Sequence, residues 1–264
     1  MGAARLLRRP RMSRCGSHTG GTRTSSSPRL SPASALVVAL AVGLLAAQTA
    51  LPSTSPRYEL TRARVAHWAP VLRRVAAHRA PTTTSPVLTR LPTVTLERTQ
   101  NIVLVLGSDD VAGKTWYDVR LPILPNNSTG WVPRQALGNL YTVRTHLYVN
   151  RERFTATLKR DGRTIFTTRV GVGRPSTPTP RGQFYVRDEL SGFGDPFYGP
   201  IVFGTNGRSA VLTEWPGGGF IGIHGTDQPG ILPGAVSHGC IRMVNRDIRR
   251  LAKLMPIGTP LTIT

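Results

Sequence analysis

Cysteine is almost missing from this chain, with two residues in 264, Cys15 and Cys240. That scarcity excludes a disulfide-stapled fold and a cysteine-built zinc ribbon, both of which need more thiols. Lysine is nearly as rare, occurring only at 114, 159 and 253, and 13 acids face 34 bases. The net charge of +21 is therefore carried by arginine. Such a charge excludes an acidic, self-solvating chain and implies anionic surroundings: a membrane surface, a cell-wall polymer or nucleic acid. No dense Lys/Arg block with interleaved aromatics occurs, so nucleic acid is not expected as a partner. Aromatics make up only 6%, while Gly 27 and Pro 22 point to turn-rich β structure rather than a helix bundle.

Long hydrophobic runs are also scarce. The clearest, Ala35 to Ala47, has no charge but is short for a bilayer span, which takes about 20 residues. Before it, residues 1–34 carry seven arginines and no acid, with Ser, Thr and Gly between them. This pattern predicts a basic disordered leader followed at 35–51 by a signal-peptide core or an uncleaved signal anchor. Positive charge on the N-terminal side keeps the leader inside and sends the remainder outward. The protein is expected at the cell wall or the outer face of the cytoplasmic membrane, secreted or signal-anchored. If Cys15 stays behind with the leader, Cys240 is a lone thiol outside the cell.

Residues 52–66 read as a linker rich in Pro, Ser and Thr. Between 67 and 138 short β runs alternate with turn residues. Ile102–Leu106 is a predicted strand, Gly107–Gly113 a loop, Trp116–Leu121 an alternating strand, and Pro125–Gly130 a turn before Trp131. A second β unit follows from Thr142. Arg153–Leu158 and Ile165–Val170 flank Asp161-Gly162, which is hairpin turn chemistry. Ser176-Thr-Pro-Thr-Pro then predicts a packed, extended connection. Gly192, Gly194, Pro196, Gly199, Pro200 and Gly204 form a loop-rich stretch able to cover a site. Ala210–Thr213 and Phe220–His224 read as strands with a glycine turn between them. One helix is expected over 246–255, capped by Asn245, with Ile248, Leu251, Ala252 and Met255 on one face. Leu261–Thr264 is a closing strand.

The chemistry centres on Ser237-His-Gly-Cys240 and Gly222-Ile-His-Gly-Thr226. A thiol with an ordinary pKa of about 8.5 is mostly protonated at neutral pH, and an adjacent imidazole raises its thiolate fraction. His224 is the expected general acid/base for the nucleophile Cys240. The Gly225 carbonyl is expected to orient the other ring nitrogen. His238 and Gly239 are expected at an oxyanion pocket, with His238 an alternative base. Ser237, Thr226 and Arg242 are substrate-binding candidates, Arg242 for a carboxylate. Asp195 and Asp227 read as surface turn residues before they read as orienters. Zinc held by His224, His238 and Cys240 is an alternative, without a supporting helix motif; neither a metal nor any other cofactor is expected.

Thr177-Pro-Thr-Pro-Arg-Gly-Gln-Phe184, Ile223-His-Gly-Thr226 and Ser237-His-Gly-Cys-Ile-Arg-Met243 together resemble the YkuD-like L,D-transpeptidase catalytic domain of bacterial cell walls, over about 142–264. Trp116…Val119…Leu121-Pro122…Gly130-Trp131-Val132 resembles a bacterial SH3-like module. The resemblance implies a mainly β chain: a small SH3-like barrel, then a β-rich catalytic domain with one clear helix after the cysteine. It implies peptidoglycan stem peptides as substrate. Cys240 would form a thioester at the L-centre of a diamino acid, release D-alanine, and pass the acyl group to an amine of a second stem. The product would be a 3→3 crosslink, serving wall biosynthesis and cell shape, with susceptibility to carbapenems. Many members carry Asn where this chain has Arg242. Two other readings stand beside it: an L,D-carboxypeptidase-type hydrolase that uses the same residues with water as acceptor, and a non-catalytic wall-binding protein whose SH3-like module carries the function and whose thiol is vestigial.

Overall fold

The computed structural model describes residues 58–62, 64–191, 194–213 and 218–264. The basic leader, the apolar run and residues 52–57 of the expected linker lie outside these. The described residues fall in one compact unit, built from two β-sheets with separate cores.

The first sheet contains β1 (Tyr58–Glu59), β2 (Ala66–Pro70), β3 (Val75–His78), β4 (Val87–Leu91), β5 (Ile102–Val111), β6 (Lys114–Arg120), β7 (Thr129–Pro133) and β8 (Tyr141–Val143). Its order is β4-β3-β7-β6-β5-β2-β8, with β1 also on β5. All of these pairings are antiparallel. Val103, Val105, Val119, Leu121 and Val132 pack with Leu91 as its core. The SH3-like label for this module rests on its sequence. Two expectations change. Gly107–Val111 continues β5 after a bulge near Gly107 instead of looping, so the turn shrinks to Ala112-Gly113. The bulge shifts the pairing register and lets a polar stretch finish the ladder. The linker also ends early, because Tyr58 and Glu59 already pair with β5.

The second sheet contains β9 (Thr145–Asn150), β10 (Thr155–Arg160), β11 (Arg163–Arg169), β12 (Gly171–Gly173), β13 (Gly182–Ser191), β14 (Ile201–Arg208), β15 (Phe220–His224), β16 (Gly234–Ser237), β17 (Ile241–Arg242) and β18 (Pro260–Ile263). Its order is β11-β10-β9-β18-β13-β14-β15-β17-β12-β16. The β10–β11 hairpin turns at Asp161-Gly162, both with positive φ, as the turn chemistry requires. Gly204 lies inside β14, and Ala210–Thr213 is a bend with no strand pairing.

The helix α1 spans Asn245–Ala252, a turn shorter at its C-terminus than expected. Ile248 and Leu251 are fully buried in the second core, each contributing about 2 kcal/mol of transfer free energy. Asn245 does not cap it. Val244 is the N-cap, and the Asn245 Oδ1 accepts from the Thr226 N–H at 2.9 Å.

The two sheets are joined by more than chain continuity. Ala66, Ile102, Leu104 and Val143 of the first bury Tyr185 of β13. The Tyr185 hydroxyl donates to the Ile102 carbonyl at 2.9 Å, and Asn206 Nδ2 donates to the Leu121 carbonyl at 3.2 Å. Asn126 both donates to the Arg208 carbonyl and accepts from its N–H. Since β8 pairs with β2, the first sheet ends at Val143 and the second opens at Thr145. Tyr185→Phe leaves the Ile102 carbonyl buried without that donor, and urea unfolding should show a loss of about 1–3 kcal/mol.

Candidate active site

The register of β15 and β17 builds the site. They run parallel with Ile223 opposite Ile241 and His224 opposite Arg242. Both isoleucines are fully buried in the core. Because successive side chains in a strand alternate faces, Gly222 and His224 share the opposite face with Cys240 and Arg242. That face lines a cleft of about 140 Å³, also bordered by Phe197, Tyr198, Phe220 and His238.

Cys240 is half-buried, and its Sγ lies 3.4 Å from the Gly222 N–H, which donates to it. Burial pushes the thiol above its ordinary pKa, against the Gly222 N–H and the Arg242 cation, which both lower it. His224 is buried, and that burial pulls its pKa down to about 4. The Gly225 bond opposes this shift, and the Arg242 charge adds to it. His224 Nδ1 sits 2.7 Å from the Gly225 carbonyl. A carbonyl only accepts, so the neutral ring carries its proton on Nδ1 and leaves Nε2 as a basic lone pair. The ring contacts of Tyr198 at 5.0 Å and Phe197 at 5.9 Å hold the imidazole in place.

Arg242 is 5% exposed and lines the cleft, with its guanidinium 4.3 Å over the Phe197 ring. Its Nε has no hydrogen-bond partner among the described residues. A guanidinium that lines an open cleft is suited to a carboxylate.

The other expected site residues mostly brace this constellation. Ser237 is fully buried, donates to the Cys240 carbonyl at 2.6 Å and accepts from the Gly239 N–H at 3.0 Å. It therefore shapes the turn and is not among the cleft-lining residues. The Gly239 N–H, expected at the oxyanion pocket, is already committed to Ser237. Gly239 has φ +122°, and an added Cβ would meet Ile221 at 3.0 Å, so the turn requires glycine. Thr226 Oγ1 accepts from the Gln228 N–H, again outside the cleft lining. His238 is exposed at the rim. Asp195 caps the short helical turn Pro196–Tyr198 through the Phe197 N–H. Among the described residues no three His, Cys, Asp or Glu side chains are grouped to hold a metal.

Four further residues take part whose roles at the site the sequence did not show. Phe197 and Tyr198 sit in the loop expected to cover a site, but nothing marked them as its ring contacts. Asn245 braces the Gly225-Thr226 turn. Thr179 is fully buried in the packed Thr-Pro-Thr-Pro connection, where its hydroxyl donates to the Gly239 carbonyl at 2.7 Å and accepts from the Gly173 N–H at 2.8 Å.

A family model for the YkuD L,D-transpeptidase catalytic domain matches residues 144–263. The YkuD protein of Bacillus subtilis (strain 168) is 37% identical over 123 residues, covering 47% of this chain and 68% of its own length. The chain belongs to the YkuD L,D-transpeptidase family. A YkuD relative from Bacillus licheniformis is also 37% identical, over 110 residues that make up 42% of this chain and 59% of its own. The catalytic domain of an E. faecium L,D-transpeptidase solved by NMR is 25% identical, covering 46% of this chain and 96% of that one, with a TM-score of 0.34.

The Thr179 bridge makes a specific prediction for this L,D-transpeptidase domain. Thr179→Val leaves a buried N–H and a buried carbonyl unpaired and should lower unfolding stability by about 1–3 kcal/mol. Thr179→Ser keeps the hydroxyl and should recover most of that loss in the same urea titration.

Proposed function

We propose that this protein is an exported cysteine L,D-transpeptidase that forms 3→3 peptidoglycan crosslinks through a thioester on Cys240. The observation that carries the reading is the shared face of Cys240 and His224, with Nδ1 tied to Gly225 so that Nε2 is the free base. Membership of the L,D-transpeptidase family supports the substrate class. The arginine-rich, acid-free leader ahead of the Ala35–Ala47 run supports export, and the high positive charge suits anionic wall polymers or the membrane surface.

The acylation step begins with His224 Nε2 taking the Cys240 proton. The thiolate then adds to the carbonyl carbon at the L-centre of the donor's diamino acid. Collapse of the tetrahedral adduct breaks the C–N bond to D-alanine, and the imidazolium returns its proton to the departing amine. The D-alanine carboxylate lies one residue from the scissile carbonyl, within reach of Arg242. In the second half an amine of another stem attacks the thioester. It gives a proton to His224, and Cys240 leaves as thiolate and is reprotonated. Bond energy carried over from the first peptide drives the second, so no cofactor is required. A thioester reacts with amines in preference to water more strongly than an oxygen ester does, which favours transfer over hydrolysis.

Both partners start neutral: burial raises the thiol and lowers the imidazole. The base works only while unprotonated, so lowering its pKa extends activity toward acid. The pH profile of kcat/KM with a tetrapeptide stem should keep activity below pH 6 and fall with a midpoint of about 4. A fall centred at the ordinary histidine value would show that burial does not lower the His224 imidazole in the working enzyme. Cys240→Ala should abolish D-alanine release, and His224→Ala should slow it by about 10²–10⁴. Intact-protein mass spectrometry with a carbapenem should show one adduct, lost in Cys240→Ala. Crosslinking that survives Cys240→Ala would overturn the reading, and D-alanine release that yields no product with an acceptor amine would make the enzyme a carboxypeptidase.

A further inference from the structure

The cleft around Cys240 is not lined by the catalytic sheet alone. Glu97, from the first sheet's module, stands in its wall together with Asp188, Leu190 and Phe220. Glu97 sits at the tip of a tight loop between β4 and β5. That loop is held by Val94 bridging to Gln100, by the Thr95 N–H donating to the Thr99 carbonyl at 2.9 Å, and by the paired Thr95 and Thr99 hydroxyls at 2.8 Å. Arg98 takes φ +64° to close it. Gln100 Nε2 ties its base to the Val71 and Thr93 carbonyls. The tip is thus a braced projection from the first module.

From that tip a chain of contacts runs into the cleft. Glu97 Oε2 accepts from Arg187 NH2 at 2.8 Å, and Arg187 is only 4% exposed. The Arg187 guanidinium lies 4.3 Å over the Phe220 ring, with Arg208 5.0 Å from the same ring. Phe220 opens β15, two and four residues before Gly222 and His224, and so shares their face of the strand. The remaining counter-charge to Arg187, Asp188, lies at 3.5 Å and is already engaged by the Gly204 N–H and the Thr99 hydroxyl. Without Glu97 the buried Arg187 is under-compensated, and a guanidinium in that position relaxes toward water. Its stack on Phe220 goes with it.

The spacing says which part of a substrate this wall meets. Asp188 pairs with Gly204, and Gly204 with Gly222, whose N–H reaches Cys240. Two strand spacings put Asp188 about 10 Å from Gly222, and Phe220 lies two residues, about 7 Å, along β15 from Gly222, so reaching this wall takes about two to three extended residues. A tetrapeptide donor has one residue on the leaving side of the scissile bond. Only its N-terminal part is long enough to reach Phe220.

We propose that the first β module is a specificity element of the catalytic cleft, with Glu97 a positioning residue that acts through Arg187 and Phe220 on the N-terminal part of the donor stem. This rests on the L,D-transpeptidase reading above and assigns the module a role beyond that of a spacer or wall anchor.

The test uses the full chain and two donors: a tetrapeptide stem, and an Nα-acetylated dipeptide holding only the diamino acid and D-alanine. Wild type should prefer the longer donor. Glu97→Ala should lower kcat/KM for the tetrapeptide by about tenfold, mainly through KM, while changing it for the dipeptide by less than about twofold. Glu97→Asp keeps a counter-charge for Arg187 and should recover more of the preference than Glu97→Gln, which keeps only a neutral acceptor. Phe220→Ala should abolish the same preference, and the double variant should lose no more than the single ones. Equal losses on both donors, alongside a lowered Tm, would mark Glu97 as merely structural and overturn the proposal. Unchanged values on both would overturn it equally. A wild-type chain that releases D-alanine from neither donor would remove the transpeptidase reading and this proposal with it.

Discussion

The parallel pairing of β15 with β17 is the constraint on which the cleft depends. Ile223 and Ile241 lie side by side and fully buried, so a slip of one residue in either strand would bring a polar or catalytic side chain into the core. Strand alternation makes that cost large, because a one-residue shift turns every side chain of the strand to the other face. The apolar core thereby fixes which residues face the cleft, and Cys240, Arg242, Gly222 and His224 are those residues. α1 adds Ile248 and Leu251 to the same core directly after the β17 segment, so the Cys240 turn is anchored on both sides.

Electrostatics then set the protonation states. Desolvation is the largest influence on both His224 and Cys240, and it acts against charge on each. The resting pair is neutral, in contrast to the thiolate–imidazolium pairs of sites where the cysteine is exposed to cations. A neutral thiol is a poor nucleophile, so in the proposed reaction the proton moves as the substrate is attacked. The Nδ1–Gly225 bond costs nothing at that moment because it is already made and the ring need not reorient. It also favours the imidazolium once formed, raising the basicity of His224 against the effect of burial. Arg242 works the other way on His224 and with the thiolate on Cys240. Neutralising Arg242 with a substrate carboxylate would therefore make His224 more basic as the substrate binds.

Much of the catalytic module was legible because its signals are local. Asp161-Gly162 demands a tight hairpin, Ile-Gly-Ile-His alternates as a half-buried strand, and the glycines around Cys240 mark a turn that tolerates no side chain. The expected helix face proved correct at Ile248 and Leu251, while Met255 is buried in the same core beyond the helix's end. What was not legible depends on residues distant in sequence. Ser237 looks like a substrate-facing hydroxyl until the Cys240 carbonyl and Gly239 N–H are seen to consume it. Asn245 fits the pattern of a helix cap, but a partner 19 residues away in the Gly225-Thr226 turn takes its side chain. Phe197 and Tyr198 contact His224 only after the chain folds back from β13, and ring stacking leaves no periodic trace in a loop. The bulge in β5 was misread for a related reason: Ser108-Asp109-Asp110 has turn composition, and only pairing with β6 makes it a strand.

The weld between the two sheets is the least legible feature, and it changes what the first module is. A tethered module would meet its neighbour through a small, polar and adaptable surface. Here Tyr185 is wholly buried against Ala66, Ile102 and Leu104, and Asn126, Asn127 and Asn206 spend their amides on backbone across the junction. Hydrogen bonds from these asparagine amides to backbone, Asn206 among them fully buried, are directional, so they fix orientation as well as proximity. They fall on β13 and β14, the strands between the first module and β15. Loosening the junction would therefore move the strands against which β15 is paired, and with them the face that presents His224. A loop from the first module that ends in the cleft wall is the consequence of that geometry, since a rigid junction is what allows a braced tip such as Glu97 to hold a fixed place in another module's site.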